Sequence, residues 1–407
     1  MDWHANHDPE LATILGSEPM TAGRLLVITG TLGEPSETFV RRHVCDLGPG
    51  RTVCIARRRS SEPNGWKADV PTLVLEEVAP LGRLGGAGVL TRTLGLTRPD
   101  RLLSPPHARA VAEFVRDHEV GVALGEFLDA TLPFVRLLEE ARIPLVAHSH
   151  GSDISVRLRR PWWRRAYGVY GRSERVITVS QLMKRRLADR TPIPAANIAV
   201  IPCGSPIVPN NVARPRADSE LHCVAVGRLV PVKDPLGTLA AFVAASERAQ
   251  QPMRLTMVGD GPLRRLLEEA VQRSGWAERI RVLGTRPHHD VQNLLADCDV
   301  FLHPSRLDPT TGSEEGLPVA VLEAMSHGLA IVTTRHGGIP EAIEDRATGL
   351  LVDEGDYASM AARIAELADN PALRHELGAR ARARHAAEFS WERERERLTE
   401  LLRPYLV

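Results

Sequence analysis

Residues 222–234, HCVAVGRLVPVKD, decide the fold of the second half of the chain. An apolar run from Cys223 to Val226 is followed at once by a glycine and a polar loop, which is typical of a strand covered on both faces. Similar short runs alternate with longer amphipathic segments along the whole chain, and this rhythm predicts βαβ units and parallel sheets. The predicted strands cover residues 25–29, 52–56, 121–125, 144–148, 175–179, 199–202, 223–226, 254–258, 280–283, 300–302, 330–333 and 349–352.

The chain has 407 residues, so we expect two domains of about 150–200 residues each. Residues 205–219, SPIVPNNVARPRADS, contain three prolines and interrupt the rhythm, which favours a linker. A ligand should bind in the crevice at the carboxyl ends of the strands. The predicted organisation is an N-terminal tail over 1–22, a first domain over 23–205, a linker over 206–219, a second domain over 220–387, and a helix over 388–407 that crosses back to the first domain.

The composition excludes several classes of protein. Basic and acidic residues balance at 51 each, so there is no global basic field for nucleic acid. The five cysteines are scattered without a C-x-x-C pair, which suits a reducing compartment. The N-terminus lacks the pattern of a secretory signal, and no apolar run approaches the roughly 20 residues that span a bilayer. We therefore expect a cytoplasmic protein that meets a membrane only from the side.

Residues 314–327, EEGLPVAVLEAMSH, form the most informative segment for function. Pro318 suits the first turn of a helix, which puts Glu315 in the entering loop and Glu323 inside the helix. Backbone amides at a helix start bind phosphate or sugar hydroxyls. The alternative is an ordinary helix start with two solvated glutamates. The amides that would face such a ligand belong to Gly316, Leu317 and Val319.

Two cations follow the strand at 223–226. Arg228 and Lys233 lie in the loop beyond the strand end, where a guanidinium fork and an ammonium point charge can clamp a diphosphate. Two exposed surface cations are the alternative interpretation.

The first half of the chain contains two weaker clusters. His150 lies in AHSHGSD, residues 147–153, at a strand end, and a structural histidine is the alternative to a ligand-binding one. Residues 30–39, GTLGEPSETF, follow the first strand and could approach an anion or an acceptor through two glycines and a Ser/Thr-rich helix start. This segment lacks G-x-G-x-x-G, which weighs against a dinucleotide fingerprint.

These motifs together resemble a known family. GRLVPVKD, the Glu315-x7-Glu323 spacing, HGGIPEAI and TGLLV are similar to retaining glycosyltransferases of the GT-B fold, in the GT4-type or group 1 family. PSETFV, HGSDIS, VSQLMKRRL and VIPCG resemble its exopolysaccharide branch of colanic-acid-type transferases. The resemblance runs from about Arg24 to Trp391. It implies an α/β architecture of two Rossmann-like domains whose parallel sheets face each other across a cleft.

The resemblance also implies roles for individual residues. Arg228 and Lys233 would neutralise the donor diphosphate, while Glu315 would lie beside the donor sugar. Further roles fall to Glu323 at the nucleotide ribose, to the amides of Gly316, Leu317 and Val319 at the sugar and distal phosphate, to Thr285 and Arg286 at the base, to His150 at the donor sugar from the opposite domain, and to Gly33, Ser36, Glu37 and Thr38 on the acceptor side.

The implied reaction is transfer from a nucleotide-sugar, UDP-linked by preference, to a saccharide or lipid-linked acceptor, with no cofactor and no metal ion. The sequence contains one D-x-D pattern, Asp297-Cys-Asp299, which we interpret as a structural turn between a helix and a strand. It departs from the family pattern in the first loop, where only Gly30 and Gly33 remain, and at Cys203-Gly-Ser-Pro206, which replaces a segment of interdomain contact.

Other interpretations remain open at this point. A nucleotide-sugar 2-epimerase has the same architecture, a small-molecule acceptor is an alternative to a saccharide, and an inactive sugar-nucleotide-binding subunit would share the fold. A P-loop ATPase is disfavoured because G-x-x-x-x-G-K-[ST] does not occur. Residues 157–165, RLRRPWWRR, either lie on an anionic membrane surface or turn both tryptophans inward.

Overall fold

The computed structural model describes residues 23–62, 65–81, 103–209 and 220–406. The predicted tail over 1–22 and residues 210–219 of the predicted linker lie outside the described residues. The chain divides into two compact units, Met1–Ile201 together with Arg395–Val407, and Pro202–Glu394. The first unit thus ends at Ile201 rather than at residue 205, and it takes in the last residues of the chain.

The first unit is built on a seven-stranded parallel sheet in the order β3-β2-β1-β4-β5-β6-β7. Its central strands are short, apolar and almost completely buried, because helices cover both faces. The strands are β1 (Arg24–Leu32), β2 (Thr52–Arg59), β3 (Thr72–Val74), β4 (Val120–Glu126), β5 (Leu145–Ser149), β6 (Arg175–Thr178) and β7 (Ile198–Val200).

The helices of this unit are α1 (Thr38–Cys45), α2 (Leu75–Val78), α3 (Pro105–Asp117), α4 (Leu128–Thr131), α5 (Val135–Glu140), α6 (Ser152–Ser155), α7 (Pro161–Ala166) and α8 (Gln181–Arg190). Short 3₁₀ turns cover Leu132–Phe134, Arg157–Arg159, Tyr167–Arg172 and Ala195–Asn197.

The second unit is built on a six-stranded parallel sheet in the order β10-β9-β8-β11-β12-β13. Its strands are β8 (Leu221–Val226), β9 (Met253–Val258), β10 (Ile280–Val282), β11 (Val300–His303), β12 (Ala330–Thr334) and β13 (Leu350–Val352). Its helices are α9 (Pro235–Ser246), α10 (Arg264–Arg273), α11 (His288–Ala296), α12 (Val319–Ser326), α13 (Ile339–Ala342), α14 (Tyr357–Asp369) and α15 (Pro371–Arg384). Pro231–Lys233 and Ala277–Arg279 are 3₁₀ turns, His385–Phe389 is a π turn, and α16 (Trp391–Leu402) leads through the 3₁₀ turn Arg403–Tyr405 into the last residues.

The predicted α/β class with two Rossmann-like parallel sheets is confirmed, and each predicted strand is present with its ends shifted by a few residues. The prediction missed β3, a three-residue strand that pairs with β2 at the end of the sheet. Thr72 and Leu73 are only half-buried, so this strand does not show the continuous burial of the central strands.

In each sheet the order of the strands reverses between the first and the fourth strand, where β1 lies beside β4 and β8 lies beside β11. In open parallel sheets this topological switch point is where ligands bind, at the carboxyl ends of the strands. The residues predicted to bind substrate lie at the carboxyl ends of the strands in both sheets.

The segment 157–165 turns its tryptophans inward. Trp162 and Trp163 both pack against the apolar core of the first unit, and the Arg157 guanidinium lies 4.9 Å from the ring of Trp163. Among the described residues, no helix is both long enough and apolar enough to cross a membrane.

Candidate functional site

An ion pair joins two of the predicted site residues in the second unit. The Lys233 ammonium lies 2.8 Å from Oε1 of Glu315, and the two side chains are only 16% and 14% exposed. Partial burial reduces solvent screening, so the pair is stronger than an ordinary surface ion pair. The structure therefore brings together the cation after β8 and the carboxylate before α12.

Local structure fixes the position of Lys233. It ends the 3₁₀ turn Pro231–Lys233, and the next residue, Asp234, adopts the left-handed conformation with φ 46°. Asp234 caps α9 by accepting a hydrogen bond from the backbone N–H of Gly237 at 3.2 Å. The hydroxyl of Tyr357 donates to the same carboxylate. This anchoring of Asp234 holds the loop that carries Lys233.

Glu315 is fixed from the opposite side. Its backbone N–H donates to Nε2 of His336 at 3.1 Å, while Nδ1 of His336 lies 2.7 Å from Oε1 of Glu354. Nε2 accepts, so we assign the ring hydrogen to Nδ1, where it donates to Glu354. His336 is the first residue of the HGGIPEAI motif, but no role of its own followed from the sequence.

Helix α12 begins one residue later than predicted. Pro318 is its N-cap residue rather than a member of the first turn, and the helix starts at Val319. Among the described residues, the amides of Gly316 and Leu317 have no backbone partner. Glu323 lies inside the helix, 6% exposed, with one carboxylate oxygen 3.9 Å from Nδ1 of His288. Four of the predicted donor-binding residues therefore lie in the loop before this helix or in its first two turns: Gly316, Leu317, Val319 and Glu323.

Arg228 is exposed and lines one small cavity together with Gly227, Lys233, Thr238 and His303. The cavity lies at the carboxyl ends of β8 and β11, which is the switch point of the sheet.

Thr285 and Arg286 follow β10, half-buried and exposed respectively. The backbone N–H of Gly259 donates to the carbonyl of Gly284 at 3.0 Å, so this loop lies beside the loop after β9.

His303 is a cavity residue that the sequence analysis missed. Burial, and after it the positive charge of Lys233, hold its pKa well below the usual range, so the ring is neutral. Its Nε2 is buried and has no hydrogen-bond partner among the described residues. The signal that could have found it is its place as the last residue of β11, at the predicted ligand edge.

The D-x-D pattern lies between α11 and β11, where the sequence placed it. Oδ2 of Asp299 accepts a hydrogen bond from the backbone N–H of His222 at 2.9 Å, and the backbone N–H of Asp299 donates to the carbonyl of His222. Asp299 thus ties the start of β11 to the neighbouring strand β8.

In the first unit, His150 follows β5 and points at a buried carboxylate. Its Nε2 lies 2.6 Å from Oε2 of Glu126, the last residue of β4. Asp153 holds the loop around it by accepting hydrogen bonds from the backbone N–H groups of His150 and Gly151. Glu126 therefore holds the ring of His150, and Asp153 holds its backbone.

The predicted acceptor-side residues lie in and after the loop that follows β1. Gly33 is buried, and a Cβ there would lie 2.7 Å from the carbonyl oxygen of Trp66. Ser36 is exposed and hydrogen-bonds to Glu34 at 3.4 Å, while Glu37 and Thr38 form the N-cap and first residue of α1. The next residue, Phe39, stacks on His150 with ring centroids 4.2 Å apart, which connects this segment to His150.

Comparison with known families matches both units. Residues 71–206 match the model described as Glycosyltransferase Family 4, and residues 211–384 match the model described as Glycosyl transferases group 1. The chain contains a Family 4 domain and a group 1 domain, both of glycosyltransferase families.

Relatives of this protein include a polysaccharide enzyme and a mannosyltransferase. The amylovoran biosynthesis glycosyltransferase AmsK of Erwinia amylovora is 31% identical over 257 residues, 62% of each chain. The GDP-mannose-dependent monoacylated alpha-(1-6)-phosphatidylinositol monomannoside mannosyltransferase of Corynebacterium glutamicum is 29% identical over 321 residues, 74% of this chain and 81% of the relative. The match to AmsK spans about three fifths of that relative's length.

Solved structures show the same fold. The structure of HepE from Anabaena in complex with UDP and glucose superposes with a TM-score of 0.71 at 19% identity, covering 93% of this chain and 99% of HepE. At this identity the likeness concerns the fold alone.

Proposed function

We propose that this protein is a retaining glycosyltransferase of polysaccharide biosynthesis that works without a metal ion. It moves a hexosyl group from a nucleoside-diphosphate sugar, UDP-linked by preference, to a saccharide or lipid-linked acceptor. The observation that carries the proposal is the ion pair between Lys233 and Glu315 at the switch point of the second sheet, with Arg228 lining the adjacent cavity. The cavity thus offers two cations for a diphosphate, and the carboxylate paired with one of them can bind a sugar.

The proposed chemistry follows from charge. Cleavage of the bond between the anomeric carbon and the phosphate oxygen leaves negative charge on the diphosphate, which Arg228 and Lys233 stabilise. Glu315 stabilises the positive charge that develops near the anomeric carbon. The acceptor oxygen bonds to that carbon from the same face, and its proton passes to a phosphate oxygen of the leaving group.

Binding of the donor changes the partner of Lys233. In the structure its ammonium contacts Glu315, whereas a bound diphosphate draws it toward the phosphate oxygens. Glu315 then turns its carboxylate to the sugar hydroxyls. Glu323, in the second turn of α12, binds the ribose hydroxyls of the nucleotide, and Thr285 and Arg286 lie beside the base.

The test is release of nucleoside diphosphate from a panel of UDP-, GDP- and ADP-sugars, with and without excess chelator. GDP-mannose is included because the relative from Corynebacterium is named for it, and UDP-glucose because HepE was solved with UDP and glucose. Arg228→Ala and Glu315→Ala should abolish release, while Arg265→Ala, an exposed arginine paired with Glu269 on α10, should leave it unchanged. Release that needs a divalent ion contradicts the metal-free mechanism, and a product that is an epimer of the donor sugar contradicts transfer.

A lipid-linked acceptor would place the protein at a membrane surface. Because both tryptophans of segment 157–165 pack inward, membrane contact rests on Arg159, Arg160 and Arg165. All three are exposed and have no ion-pair partner among the described residues. Cationic side chains near an anionic surface attract it with about 1 kcal/mol each.

A further inference from the structure

A buried carboxylate in the first unit lies among three imidazoles. Glu126 is fully buried at the carboxyl end of β4, with Oε1 2.7 Å from Nδ1 of His43 and Oε2 2.6 Å from Nε2 of His150. The third imidazole, His148, lies 3.7 Å from the same carboxylate, beyond hydrogen-bond distance. The donor chemistry proposed for the second unit gives this cluster no role.

The charge state of Glu126 determines where the ring hydrogens lie. Burial raises the pKa of the Glu126 carboxyl, but the charge of His43 and the hydrogen bonds from His150 and His43 outweigh burial and hold this pKa below its usual range. An ionised carboxylate only accepts hydrogen bonds. Nδ1 of His43 and Nε2 of His150 therefore both carry hydrogen.

The ring of His150 is held from its faces as well. Phe39 and Phe127 lie against it with centroid distances of 4.2 and 4.7 Å. Phe127 has φ 63°, a conformation that side chains other than glycine rarely adopt, and its backbone N–H donates to the carbonyl of His148 at 2.8 Å. Strained residues of this kind persist where the surrounding structure requires them, often beside functional groups.

We propose that Glu126 is a positioning residue for His150, fixing its imidazole with hydrogen on Nε2 so that Nδ1 is the basic ring nitrogen. His43 completes the arrangement by occupying the other carboxylate oxygen. The proposal rests on the function proposed above and extends it by giving His150 a part in sugar transfer. It adds that His150 presents a hydrogen-bond acceptor, not a donor, to a sugar hydroxyl.

The first measurement reads the tautomer directly in the wild-type protein. Long-range ¹H–¹⁵N NMR spectra of histidine-labelled protein, assigned with His150→Gln, should show His150 protonated at Nε2. If the His150 ring carries hydrogen on Nδ1 and none on Nε2, the proposal is wrong, whether or not any variant folds.

The second measurement uses Glu126→Gln, which keeps the shape of the side chain. A carboxamide has one acceptor oxygen and one donor nitrogen, so it cannot accept from both imidazoles, and one ring must change tautomer or lose its partner. We expect a shifted tautomer signal and a kcat for donor turnover lower by roughly 10- to 100-fold, the effect of one lost hydrogen bond to a charged group. KM for the donor should change little, and Glu126→Asp should restore part of kcat.

Glu139→Gln is the matched control, because Glu139 is a half-exposed glutamate of the same unit that pairs with Arg172. It should leave the tautomer and kcat unchanged. An altered tautomer with unchanged kcat in Glu126→Gln overturns the positioning role, while loss of turnover in Glu315→Ala keeps the proposed function standing. If the wild-type protein turns over no donor, the proposed function itself is wrong.

Metal analysis of the purified protein tests whether the buried cluster binds a metal ion instead. Ligand atoms of His43, Glu126 and His148 lie within 4.8 Å of one another, and both ring nitrogens of His148 lack a hydrogen-bond partner among the described residues. One equivalent of bound metal that is lost in Glu126→Gln would make the carboxylate a metal ligand and overturn the proposal.

Discussion

Lys233 and Glu315 contact each other through Nζ and Oε1 at 2.8 Å, although one follows β8 and the other precedes α12. Each side chain is held by its own local structure, the 3₁₀ turn before Asp234 and the hydrogen bond from the Glu315 amide to His336. The pair is therefore a property of two loops that meet at one end of the sheet. In the proposed function, it puts the cation for the donor diphosphate beside the carboxylate for the donor sugar.

Lys233→Ala should reduce kcat/KM for nucleoside diphosphate release by roughly 10²–10³-fold, because a charge that stabilises the leaving group is lost. Lys233→Arg should recover only part of the activity, since the planar guanidinium does not match the compact ammonium. The melting temperature should change little, and Arg265→Ala serves as the control. Wild-type kcat/KM in Lys233→Ala contradicts a role for this cation.

Gly337→Ala should lower both stability and activity. Gly337 has φ 55°, and a Cβ there would lie 2.2 Å from the carbonyl oxygen of Glu315, so the alanine displaces the loop that carries the carboxylate. Gly355→Ala is the matched control, because its φ is 77° but nothing lies within 4 Å of the added carbon. It should cost about 1 kcal/mol from strain alone and leave donor turnover intact. Equal activity in the two variants would show that the Glu315 loop tolerates displacement.

The stability of the second unit should fall with acid through His385. Burial lowers the pKa of His385 from 6.5 to about 4, with Nε2 2.8 Å from the Ser205 hydroxyl. The folded state favours the neutral ring, so this contribution is complete above about pH 6.5 and is lost as the pH falls toward 4. Between pH 7 and pH 5 the loss is about 2 kcal/mol.

Urea unfolding of His385→Gln at both pH values should show a smaller fall than the wild-type protein. His375→Gln, an exposed histidine on α15, should behave as the wild type does. Identical pH dependence in all three proteins would remove His385 as the source.

Trp163→Ala should destabilise the first unit by about 2 kcal/mol, since its ring packs on the core and stacks edge-on with Tyr167 at 5.6 Å. Urea denaturation measures this loss. Binding to anionic vesicles should persist in Trp163→Ala and should fall in the triple variant Arg159→Ala, Arg160→Ala, Arg165→Ala. Vesicle binding that disappears with the tryptophan while the protein stays folded would favour insertion of the ring.

The sequence by itself determined the architecture. Short apolar runs between amphipathic segments predict two parallel sheets, because strands covered on both faces must be apolar throughout. The same pattern put Arg228, Lys233 and His150 after strand ends and Glu315 and Glu323 around a helix start. What these residues do for a substrate remains a prediction.

Only the tertiary structure decided which side chains meet. Glu126 is the last residue of an apolar strand, and nothing local marks it as the partner of His43 and His150. Nothing local gives a role to His303, or to His336 at the start of the HGGIPEAI motif, until β11 and the loop after β12 place them near Lys233 and Glu315. Periodicity reports which face of an element is buried, whereas contacts between loops depend on the order of strands in the sheet, which a local pattern does not contain.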